Sequence, residues 1–198
     1  MQAIASLLLA AAWTQPLPAP ETFLRNPEFD TDPVSASAPI NWRWYLDSGT
    51  GGDVSWDAAV GSPAAGSGRV RNLRSGPRRD FWGQCVKLAP GAFTLRAAVQ
   101  PQLKPNASCE LRIDVLNTAD CPDGAGVLLT RKVANATNNA GFETLEIAAV
   151  APLHSGAAWV SLAHTQTAAA AIDYSYCHFD HVEWQSPLHL FRGGFDAR

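Results

Sequence analysis

Charge is scarce in this sequence. Asp, Glu, Lys and Arg make up 17% of its 198 residues, and the acids outnumber the bases by 18 to 15, for a net charge of −3. A nucleic-acid binder needs a basic field to neutralise phosphates, so DNA and RNA are not expected partners. Beyond the first twelve residues no run approaches the roughly 20 apolar residues of a membrane-spanning helix, and no membrane span is expected. The chain lacks Cys-x-x-Cys and any His pair at metal-ligand spacing, which argues against zinc. It also lacks a Gly-x-Ser-x-Gly elbow, which removes one route to Ser-His-Asp chemistry. Almost no segment sustains a helical period.

Hydrophobic residues account for 46% of the chain, ample for one buried core, and the length suits one all-β domain. Residues 1–12 contain the apolar run Ala3 to Ala12 ending in small residues. This reads as an export signal, although no Lys or Arg precedes the run; the competing reading is a buried N-terminal helix turn. Residues 13–21, with Pro16, Pro18 and Pro20, read as an extended linker. The binding domain is expected over 22–186, with a tail over 187–198. Four cysteines, an even number, fit an oxidising compartment. The protein is expected to be secreted, extracellular or periplasmic, and monomeric.

From Asn41 onward, short β-rich runs are broken by Gly, Pro, Asn and Asp. Strands are expected at 80–88, 92–100, 108–116, 127–133, 142–150, 158–164 and 172–184. In Leu111-Arg112-Ile113-Asp114-Val115 the apolar and charged residues alternate strictly, as in a strand with one wet face. Ala89-Pro90-Gly91 is a tight-turn signal. The stretch from Asp47 to Gly68 reads as a glycine-rich loop with one apolar segment near Val54 and Trp56. Such a pattern predicts an antiparallel β-sandwich or jelly roll.

Seven tryptophans are many for this length. Sugar rings stack their C–H faces on indoles, so Trp56 and Trp82, with Trp44, Tyr45, Arg71 and Arg74, form the expected ligand contacts, and stacking is expected to carry the affinity. Trp42 and Trp159 are assigned to the core. Arg69, Arg71, Arg74, Arg78 and Arg79 crowd into one short stretch. They make either a platform for anionic glycan or phosphate or a solvated edge that discourages strand addition. His178, Asp180, His181 and Glu183 form the densest polar cluster. Strand alternation splits them between two faces, so that they cannot converge without a bulge; this counts against a catalytic metal, and no enzyme activity is expected.

The order of motifs resembles a known family. Asn26-Pro27-Glu28-Phe29-Asp30, then Trp42, then Gln84 to Leu95 with its Pro-Gly turn, and finally Phe179-Asp180-His181-Val182 resemble the galactose-binding-like jelly-roll carbohydrate-binding modules of bacterial exported proteins. The resemblance covers residues 24 to 184 and departs from the family pattern at Pro27, Asp30 and His181. It implies a galactose-binding-like, antiparallel jelly-roll β-sandwich that binds extracellular polysaccharide or cell-surface glycan without catalysis. It also implies one structural Ca2+ on Asp30 and Asp180, with a carbonyl from Glu28; an Asx turn at Asp30 and a strand cap at Asp180 are the alternatives. The rival function is a structural or adhesive cell-surface sandwich that binds no free sugar.

All four cysteines are expected to pair. A hairpin-like return after the strand opened by Cys109 would join it to Cys121, leaving Cys85 with Cys177.

Overall fold

Alternating apolar and polar residues form strands throughout the computed structural model, which describes residues 24, 27–29, 42–46, 52–73, 75–118, 121, 126–138, 141–169 and 175–186. In chain order these are β1 (Arg43–Tyr45), β2 (Gly52–Asp57), β3 (Ser67–Asn72), β4 (Arg78–Lys87), β5 (Gly91–Gln102), β6 (Ala107–Leu116), β7 (Leu128–Ala136), β8 (Glu143–Ala151), β9 (Ala157–Gln166) and β10 (Ser175–Gln185). They build two five-stranded antiparallel sheets, β1-β4-β9-β6-β7 (sheet A) and β2-β3-β10-β5-β8 (sheet B). No helix occurs among the described residues, and so none there is long and apolar enough to cross a membrane. The expected signal segment, linker and tail lie outside the described residues.

The core lies between the sheets. Trp82, Leu111, Ile113, Val115 and Leu162 from sheet A meet Val70, Leu95, Val99 and Phe179 from sheet B, all buried. Trp42 is in this core as expected, its ring 5.3 Å from that of Phe29, which also faces Trp82. The backbone N–H of Val182 donates to the carbonyl of Pro27 at 2.9 Å. The first described segment is thereby tied to the last strand.

All seven expected strands form, as β4 to β10. The expected loop from Asp47 to Gly68 is the part that differs, since it contains β2 and the start of β3. Gly52 is not a loop glycine: a Cβ there would lie 2.4 Å from Nη2 of Arg78 and from Oδ2 of Asp80. It marks a close approach, one of the reasons glycine occurs inside strands.

Both disulfides form, but with the opposite partners to those expected: Cys85–Cys121 and Cys109–Cys177. Cys109 lies near the start of β6, whereas Cys121 follows the other end of that strand. The eight residues from Cys109 to Leu116 span roughly 23 Å at strand rise, far beyond the 4.4–6.8 Å Cα separation of a disulfide. The hairpin instead sets Ala136 opposite Cys109. Cys109 and Cys177 point inward from facing sheets and are fully buried, so their bond crosses the core.

One end of the core is polar. Arg78 and Asp80 form a buried ion pair, Nδ2 of Asn72 donates to Oε1 of Gln166 at 2.8 Å, and Nε2 of His164 lies 2.7 Å from Oγ of Ser175. Nδ1 of His164 finds no partner among the described residues. Burial, reinforced by the charges of Lys104 and Arg78, lowers the His164 pKa to about 4. The neutral ring is therefore the folded form. Below pH 6.5 the unfolded chain takes up a proton that the native chain refuses until about pH 4, so this contribution to stability is complete above pH 6.5 and is lost on acidification. Between pH 7 and 4.5 it amounts to about 2 to 3 kcal/mol. Urea denaturation should show His164→Gln losing less stability over that interval than wild type by this amount; equal losses would rule the assignment out.

Candidate functional site

Strand register places the outer face of sheet A as a grid. Phe81 on β4, Ala163 on β9, Glu110 on β6 and Asn135 on β7 form one row, with Tyr45 of β1 opposite Phe81. Arg43, Gly83, Ser161, Arg112 and Val133 form the next, and Cys85, Trp159, Asp114 and Arg131 the one after. The floor of this face is small: Gly83, Ser161 and Ala163. These residues are buried because larger neighbours lie over them. A Cβ on Gly83 would sit 2.4 Å from Cζ2 of Trp159, so the indole can approach β4 this closely only because residue 83 is glycine.

A layer of rings and paired charges results. Trp159 is half-buried at its surface. The guanidinium of Arg79 lies 4.5 Å from the centre of the Phe81 ring, donates from Nε and Nη2 to Oε1 of Glu110 at 2.9 and 2.7 Å, and from Nη2 to Oγ of Ser161 at 2.9 Å. Burial lowers the Arg79 pKa, opposed by the Glu110 charge and hydrogen bond. Asp114 accepts from Arg112 and from Arg131, whose Nε is 2.6 Å away. Burial acts to raise the Asp114 pKa, but the hydrogen bonds and charges of these two arginines outweigh it and hold the carboxyl below its ordinary value. Cys85 shares the face, and its bond to Cys121 ties the connection between β6 and β7 beside Trp159.

The sequence-predicted contacts are not gathered at one place. Trp82 has 0% exposure and points into the core, which excludes it as a ligand contact. Trp56 is half-buried against the core, and its Nε1 donates to the Phe29 carbonyl at 2.6 Å. Trp44 is 46% exposed at the sheet edge. Arg71 lies on the other sheet, its Nη2 2.9 Å from Asp53, and Arg74 falls outside the described residues. Trp159, expected in the core, is on the outer face instead. Along β9 both faces carry apolar side chains, so alternation alone could not orient it; the charged residues of its neighbour β6 were the available signal.

The arginine cluster is likewise divided among three places. Arg69 pairs with Asp53 and Asp57 on the outer face of sheet B, Arg78 is buried, and Arg79 belongs to sheet A.

Around the expected calcium ligands, Asp180 is buried and its two carboxylate oxygens accept from the backbone N–H groups of Ser62 at 2.6 Å and His181 at 2.7 Å. Glu28 meets Nδ1 of His181 at 2.8 Å, while Asp30 lies outside the described residues. A register shift between Asp180 and Glu183 interrupts the strict alternation of β10 at this point. No group of three or more His, Cys, Asp or Glu close enough to hold a metal forms among the described residues.

No protein-family model and no curated protein sequence matches the chain. Solved structures do. They include TmCBM61 in complex with beta-1,4-galactotriose, at 13% identity and a TM-score of 0.55 over 83% of this chain and 98% of that one. The CBM22-2 xylan-binding domain from Paenibacillus barcinonensis Xyn10C matches at 13% identity and a TM-score of 0.51 over 80% and 96%. The enzymatically active domain of bacteriophage CBA120 tailspike protein 4 matches at 11% identity and a TM-score of 0.61 over 82% of this chain, which spans 21% of that one. The fold is the jelly-roll β-sandwich of carbohydrate-binding modules. The antiparallel jelly-roll β-sandwich expected from the sequence is thereby present, and the two disulfides fit an oxidising environment.

Proposed function

We propose that this is an exported, non-catalytic, monomeric domain that binds extracellular polysaccharide on the outer face of sheet A. The observation that carries this is Trp159, half-exposed and packed against Gly83 beside side chains that can address hydroxyls. The fold shared with carbohydrate-binding modules supports the reading. A preformed surface orders few of its own groups, but glycans lose entropy and exchange water hydrogen bonds for protein ones. Dissociation constants of micromolar to millimolar, roughly −4 to −8 kcal/mol, are therefore expected. Affinity electrophoresis against a panel of soluble polysaccharides should retard the domain on at least one and show no hydrolysis. Retardation by none transfers the assignment to the adhesive or structural alternative. That alternative draws support from the exposed apolar side chains Val127, Leu128 and Val133 at the β7 edge, with Val150 and Leu153 on and after β8.

Calcium is part of the same proposal, as a structural ligand. Burial, with the nearby charge of Glu28, raises the Asp180 pKa to about 6 against the two N–H bonds and the charge of His181. Each of its oxygens keeps a lone pair beyond the bond it accepts, so the donor fits a hard cation. Asp180 and Asp30 would hold the ion with the Glu28 carbonyl, and the ion would pin the first segment to the last strand. Calcium at a hundredfold excess over its dissociation constant should stabilise the chelated protein by about 2.7 kcal/mol. An unchanged melting temperature would remove calcium from the account.

A further inference from the structure

We infer that the ligand of this face is an anionic glycan, one bearing carboxylate or sulfate groups; the inference rests on the glycan-binding reading above. Among the described residues, the outer face of sheet A carries Arg43, Arg79, Lys87, Arg112 and Arg131 against only Glu110 and Asp114. The chain as a whole is negative, so this excess is local.

Sheet B shows the contrast. Its outer face sets Arg69, Arg71 and Arg96 against Asp53, Asp57, Glu146 and Glu183, and each of those arginines is within ion-pair distance of at least one of the acids. On sheet A the pairing is incomplete. Arg43 and Lys87 are exposed and have no ion-pair partner among the described residues.

Asp114 is shared by two guanidinium groups. Arg112 and Arg131 each reach it through Nε and Nη2, leaving Nη1 of both without a hydrogen-bond partner among the described residues. The carboxylate thus orients two forks while cancelling one of their two charges. Oriented N–H donors with a residual positive charge suit a carboxylate or sulfate oxygen, because charge-assisted hydrogen bonds are about twice as strong as neutral ones. Arg112 stands directly opposite Ser161 and one row from Trp159. A sugar ring stacked on the indole would have its substituents within reach of that guanidinium.

The experiment is affinity electrophoresis of the whole chain in polygalacturonate, alginate and a sulfated galactan. Methyl-esterified polygalacturonate and β-1,4-galactan serve as neutral counterparts, and duplex DNA as a competitor. At low salt at least one anionic polymer should bind about tenfold or more tightly than the neutral ones, equivalent to 1.4 kcal/mol. The preference should collapse in 0.5 M NaCl, where the Debye length falls to a few ångströms. Which anionic polymer is retained separates carboxylate from sulfate. Arg112→Gln and Arg131→Gln should remove the preference yet retain the melting temperature, whereas Arg69→Gln on sheet B should leave it intact.

Equal binding of neutral and anionic polymers overturns the inference and leaves the glycan reading standing. So does a preference abolished by Arg69→Gln and not by Arg112→Gln, or competition by DNA as effective as that of the glycan. Retardation by no polymer overturns both.

Discussion

Replacing Trp159 by alanine should reduce polysaccharide affinity by at least tenfold, about 1.4 kcal/mol, while costing no more than about 2 kcal/mol of stability. The two effects separate because the indole lies on the outer face, half-exposed, and is absent from the packed core. Truncation of a fully buried Trp would instead cost about 3–5 kcal/mol. Gly83→Ala offers a sharper check. Its new Cβ would lie 2.4 Å from Cζ2 of Trp159 and 2.8 Å from Cε2, so the ring must lift off β4 although no aromatic atom has been removed. Binding should fall with a shift in tryptophan fluorescence. Trp56→Ala should behave oppositely, losing stability through its packing and its bond to the Phe29 carbonyl with little change in affinity for the folded fraction. Full retention by Trp159→Ala, measured on protein of native melting temperature, would move the site elsewhere.

The two disulfides should differ sharply in accessibility. Cys109 and Cys177 are fully buried between the sheets, whereas Cys85 is exposed on the outer face of sheet A. Mild reductant on the native protein, followed by alkylation and peptide mapping, should therefore label Cys85 and Cys121 alone. Thiol–disulfide exchange requires a thiolate to reach the sulfur. Removing the core bond with the Cys109→Ala/Cys177→Ala pair should cost about 4 kcal/mol by loop-closure entropy for its separation of 68 residues. That corresponds to a drop of roughly 10 °C or more in melting temperature for a domain of this size. Labelling of all four cysteines together, or of Cys109 and Cys177 first, would contradict the assignment of one bond to the core and the other to the surface.

The seven strands read from the sequence occur as β4 to β10 because their determinants are local. Alternation in Leu111 to Val115 and the Pro90-Gly91 turn act within a few residues. The same locality misled at Gly52, where the glycine answers to Arg78 and Asp80 on another strand. The site was less legible. Trp159 is flanked on both faces by small and apolar residues, while Trp82 shares its face with the polar Asp80 and Gln84, so neither strand's pattern marks the face that meets the core.

That all four cysteines pair, that Trp42 is core, and that β6 has one wet face were determined by composition and short-range pattern. Only the tertiary structure decided that Trp82 faces inward and Trp159 outward, that Cys109 meets Cys177, and that five clustered arginines do not share one surface. Period-two geometry states which residues of a strand share a face, but not which face meets the core. That choice depends on register between strands far apart in the chain. Opposite Trp159 stand Cys85 from β4 and Asp114 from β6, and neither neighbour can be identified until the sheet is assembled.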